Sequence, residues 1–121
     1  MATVETKSLD SPDETRPFEK GKAEIVTVGG VTVGRGVLQP GWRWSQHVKP
    51  IAGTDSCEVA HTGYAISGRL NVVMNDGTEA EIRAGDAYVI PPGHDAWTLG
   101  DETFVAVDFS PEIADYAKAA R

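Results

Sequence analysis

The chain has 121 residues, 40% of them hydrophobic and 24% charged, a length and composition that suit one globular domain around one core. Its net charge of −7, with no local cluster of lysine or arginine, excludes the positive face that a nucleic-acid partner needs. No segment reaches membrane-spanning length, and the start offers no apolar run for a signal peptide. The single cysteine, Cys57, leaves no partner for an intramolecular disulfide, so the expected location is the cytoplasm, with no membrane partner.

Residues 1–20 are polar and proline-containing and read as an N-terminal arm, either flexible or laid across a neighbour. From Ala23 onward, short β-rich runs alternate with turn signals: AEIVTV, VTVGRGVL, WRWSQHV, CEVAHTGYAI, RLNVVM, EAEIR, AYVI, AWTL and TFVAVDF. Their spacing of about eight to twelve residues predicts an all-β barrel or sandwich over residues 21–110. Gly29-Gly30 and Pro40-Gly41 separate the early strands. Asn75-Asp76-Gly77 predicts a hairpin, because Asp-Gly supplies the positive φ angles of a tight connection. The tail, residues 111–121, predicts a short α-helix. Ser110 is its N-cap, Pro111 sits at the first position, and Ile113, Tyr116, Ala117 and Ala120 recur at helical spacing, with Lys118 and Arg121 near the end.

All three histidines, His47, His61 and His94, fall on or beside predicted strands. Imidazole is the commonest metal ligand, and a barrel gathers ligands from distant strands because alternate side chains point inward. Cys57, Val59 and His61 share a face, so an inward His61 brings Cys57 inward, as a thiolate ligand or as a small buried hydrophobe. Three histidines with Cys57 suit a divalent transition metal: zinc, iron, nickel, copper or manganese. An inward His47 turns Trp42 and Trp44 outward, to be covered by the arm or by a second subunit, and this is the argument for a homodimer. It also turns Arg43 inward, to grip a substrate carboxylate or to pair with an acid at the rim. Val59, Tyr64 and Trp97 complete the expected small-molecule pocket. Asp95 is either an acceptor for a ligand ring or a turn cap.

The segment Gly85-Asp86-Ala87-Tyr88-Val89-Ile90-Pro91-Pro92-Gly93 resembles the second motif of the cupin superfamily. The segment Tyr64-Ala65-Ile66-Ser67-Gly68-Arg69-Leu70, before the Asp76-Gly77 turn, resembles the end of its first motif. Pro40-Gly41 ahead of His47 resembles the lead-in to the first ligand. The resemblance covers roughly residues 23 to 109 and implies a jelly-roll β-barrel, frequently dimeric, holding a metal through histidines and a glutamate. Here Lys49 stands at the second histidine position, His61 at the glutamate position and Ala96 at the last histidine position, with His94 two residues earlier. The implied site is therefore a variant of the usual set. Two functions follow as expectations: a metal-dependent enzyme of oxygenase, isomerase, lyase or cyclase type acting on a small organic molecule, or a non-catalytic small-molecule binding or sensory module. A metal-free scaffold with structural histidines stands beside them.

Overall fold

The computed structural model describes residues 2–118. Nine antiparallel strands form two sheets. One has six strands in the order β1-β2-β3-β9-β4-β7, and the other has three in the order β6-β5-β8. The strands are β1 (Glu14–Phe18), β2 (Gly21–Val28), β3 (Val31–Leu38), β4 (His61–Ser67), β5 (Arg69–Met74), β6 (Glu79–Arg83), β7 (Ala87–Ile90), β8 (His94–Leu99) and β9 (Phe104–Asp108). Two short helices, α1 (Trp44–His47) and α2 (Lys49–Ala52), lie between β3 and β4. Among the described residues no helix is long and apolar enough to cross a membrane.

The predicted turns form for the expected reasons. Gly29 and Gly30 both have positive φ and close a two-residue hairpin between the paired Val28 and Val31. At the next hairpin, Asp76 Oδ1 accepts from the Thr78 amide and hydroxyl while Gly77 turns the chain at φ 91. Alternation then fills the core: Ala65 and Ala106 from the large sheet face Leu70, Val72, Ile82 and Ala96 from the small one.

Three expectations change. The arm is partly a strand: β1 pairs along β2, with Pro17 tolerated because β1 is a sheet edge. Ahead of it, Arg35 donates to Asp10 and to the Leu9 carbonyl, and Asp13 accepts from the Thr27 amide, so this stretch lies across the protein's own sheet. WRWSQHV is not a strand. The Arg43 amide donates to His47 Nδ1 and Asp95 Oδ1 accepts from the Ser45 amide, and these side-chain bonds hold a helical turn that strand propensity opposes. The tail begins as expected, with Ser110 Oγ accepting from the Glu112 amide, but it forms a five-residue 3-10 helix, Pro111–Asp115. Ala120 and Arg121 lie outside the described residues.

Candidate metal centre

The two sheets bring His61 and His94 face to face. His61 opens β4 and points inward with Gly63 and Ala65, and His94 opens β8 and points inward with Ala96 and Thr98. Their rings meet edge to face with centroids 5.4 Å apart. Cys57 reaches the same point through a bridge to β8, where its amide donates to the His94 carbonyl at 2.7 Å. Its Sγ lies 3.9 Å from His61 Nε2. One donor atom from each of Cys57, His61 and His94 lies within 4.8 Å of the other two. Bond lengths to tetrahedral zinc put neighbouring donors about 3.5 Å apart, so the three need only a small closure to share an ion.

The hydrogen bonds behind these rings assign their tautomers. His61 Nδ1 sits 2.5 Å from Asp108 Oδ2, and His94 Nδ1 sits 2.8 Å from the Pro91 carbonyl. A carboxylate and a carbonyl can only accept, so both Nδ1 atoms carry a hydrogen, and Nε2 is the ring nitrogen that each histidine turns toward the cluster. An acceptor behind each imidazole is the arrangement that fixes metal-ligating histidines. Burial pushes the His94 pKa down from 6.5 to about 4, and the neighbouring His61 adds to the effect, so His94 is neutral near pH 7. Burial pushes the Cys57 thiol up to about 12, which keeps it a thiol unless a cation replaces its proton. Tyr88 and Tyr116 are raised by burial as well and stay protonated.

His61 and His94 stand in the wall of a cavity of about 70 Å³ between the sheets. Its walls are mostly apolar, with Leu70, Ile90, Ala96 and Phe104 among them, and Tyr88, Tyr116 and Asp108 supply polar groups. The 3-10 tail covers the mouth. Ile113 packs against Gly34, where even a methyl group would lie 2.5 Å from its Cγ1. Tyr116 sets its ring edge-on to both His61 and Phe18. Its carbonyl accepts from Arg16 Nη1 at 2.8 Å. A wider groove of about 420 Å³ outside this plug includes Cys57 and Val59 in its lining.

The remaining expected site residues fall elsewhere. His47 is not brought to the cluster: the helical turn of α1 spends its Nδ1 on the Arg43 amide and leaves Nε2 3.6 Å from Glu19 on the far side of the arm. Trp42 and Trp44 point inward, both 2% exposed, and line the cavity instead of needing a cover. Arg43 lies at the rim, stacked 4.1 Å over the Trp97 ring with Nε 3.9 Å from Asp95. Trp97 and Tyr64 sit at outward positions of β8 and β4, because the parity that turns His94 and His61 inward turns them out. Asp95 caps α1, and Asp108 holds the His61 ring. Asp108 was readable: in TFVAVDF it shares the inward face with Phe104 and Ala106, an odd place for a carboxylate without a partner.

No family model matches the sequence, and no curated protein matches it. Solved structures do match. A conserved protein of Klebsiella pneumoniae with a double-stranded β-helix domain is 23% identical with a TM-score of 0.55, over 85% of this chain and 80% of that one. A DUF1255 protein of unknown function from Acinetobacter is 17% identical with a TM-score of 0.55, over 88% and 91%. Oxalate decarboxylase of Bacillus subtilis, a protein with Mn(II) centers, is 20% identical with a TM-score of 0.61. That match covers 91% of this chain but 30% of the decarboxylase. These likenesses are of fold: with its two antiparallel sheets, the chain has the architecture of a double-stranded β-helix barrel.

Proposed function

We propose that this cupin binds a divalent transition metal through Cys57, His61 and His94 and holds a small organic molecule beside it. The observation that carries the reading is the convergence of one thiol and two imidazoles whose Nδ1 atoms are already hydrogen-bonded, which leaves both Nε2 atoms free for an ion. A divalent ion there supplies a Lewis-acidic position at the end of the cavity. Three protein donors rather than four favour a centre with an open position, as in catalytic zinc sites, over a closed structural one. The donor set of one sulfur and two nitrogens favours zinc among the expected ions. Metal content per chain tests this. Wild type should hold close to one ion after loading, and Cys57→Ser, His61→Ala and His94→Ala should each lose it while keeping the β-sheet circular dichroism. Wild type that stays empty, or variants that keep the ion, would overturn the reading.

The homodimer remains part of the proposal, on different residues. The outward positions of β4, β7 and β9 and of the residue after β9 are Thr62, Tyr64, Ile66, Ala87, Val89, Val105, Val107 and Phe109, and none is a carboxylate, ammonium or guanidinium. They adjoin across the registered pairs Thr62–Val89 and Tyr64–Val107. Val89 is 73% exposed and Tyr64 49%. A second copy of this face complements it without bringing two −7 chains' charges into contact, whereas a charged partner finds nothing there to pair with.

A further inference from the structure

The cavity's charge inventory is unusual for a site beside a cation. Among the described residues Arg35 is the only lysine or arginine in its wall, and its guanidinium is already committed outside, to Glu24 at 2.9 Å, Asp10 at 2.9 Å and the Leu9 carbonyl at 3.2 Å. The one carboxylate in the wall, Asp108, is 4% exposed and points at the centre. With a divalent ion in place, its two positive charges are matched by the Cys57 thiolate and Asp108, so the loaded site is neutral before any ligand enters. Each negative charge on a ligand would then leave the site with a net negative charge that no free cation in the wall offsets, at a cost that rises in a low-dielectric interior. The unspent polar groups are hydrogen-bond donors: the Trp42 indole Nε1 is buried with no partner among the described residues, and Tyr88 and Tyr116 bring phenol hydroxyls. The rest of the wall is aliphatic or aromatic, and about 70 Å³ admits a ligand of about half a dozen non-hydrogen atoms.

From this inventory we infer that the cavity selects a small uncharged molecule with an apolar body and one carbonyl-type acceptor, and rejects carboxylates, oxalate included. The inference rests on the metal reading for the position of the ligand's head, but the walls and Asp108 impose the same charge rule without an ion.

Isobutyramide and isobutyrate have the same shape and differ in charge, and oxalate has the same number of non-hydrogen atoms. Each is titrated into zinc-loaded and metal-free protein, and the three indole N–H resonances are followed by nuclear magnetic resonance. Trp42 and Trp44 line the cavity and report occupancy, and Trp97, on the outer face, serves as the internal control. Isobutyramide should shift Trp42 and Trp44 but not Trp97, with apparent affinity at least tenfold above that of isobutyrate or oxalate. Ala96→Leu, which fills the hollow, should remove the response while the fold persists. Isobutyrate or oxalate binding as well as the amide, no cavity response to the amide, or a response that survives Ala96→Leu would overturn the inference. Failure of zinc to bind would instead overturn the metal reading, and the metal-free titrations would still decide the ligand class.

Discussion

At the scale of single residues, Asp108 is the group on which the centre depends most. Its Oδ1 accepts from the Ser110 amide and its Oδ2 holds His61, so one carboxylate both starts the tail and orients the His61 ring. Asp108→Ala should weaken metal binding by about ten- to a hundredfold, measured by competition with a chromophoric chelator. His94 gives a pH signature. The folded imidazole takes up its proton near pH 4 and the unfolded one near 6.5, so between these values the unfolded state binds more protons and acidification favours unfolding. Metal-free protein should lose up to about 3 kcal/mol between pH 6.5 and 4 from this group, and His94→Gln should lack that component in urea titrations. Cys57 should resist alkylation at pH 8 in the folded metal-free chain, because burial holds it as a thiol. Strand parity put Cys57 and His61 on one face in the sequence, and His94 was read separately, from its place after Pro91-Pro92-Gly93. Parity misplaced His47 because it has no meaning in a helical turn, and that turn is set by Asp95, about fifty residues away.

At the scale of elements, the sheet interior tolerates little change. A Cβ on Gly63 would lie 2.6 Å from the Tyr88 hydroxyl and closer still to the Val107 carbonyl, so Gly63→Ala should cost about 2 kcal/mol, read from the denaturant midpoint. Gly68 is fixed for a different reason. It turns the chain at φ 76 beside the β4–β9 register shift, and a Cβ there would meet the Phe104 backbone at 2.7 Å. Eight of the nine β-rich runs were legible because each alternates or is bounded by glycine and proline. β1 was not, since ETRPF carries two charges and a proline and owes its pairing to the neighbouring β2 edge. The tail's cap was readable from Ser-Pro-Glu. Its tight winding was not, because it follows from docking Ile113 into the space that Gly34 leaves.

At the scale of the molecule, the two tryptophans that suggested a covered outer face are core residues, and the uncharged face of β4, β7 and β9 is the proposed place where copies meet. Ile66→Lys puts a charge on that face, where Ile66 is exposed, and should shift sedimentation from dimer to monomer without lowering metal content. A wild type that sediments as a monomer would remove the dimer from the proposal. The contact between Arg16 and the Tyr116 carbonyl spans 100 residues of sequence and joins the first strand to the tail over the cavity mouth. In kinetic terms it is a late closure: on a growing chain β1 can pair with β2 early, but the clasp cannot form until the tail has emerged. Cys57, His61 and His94 all precede that tail in the chain, so the three groups are made before the segment that covers them.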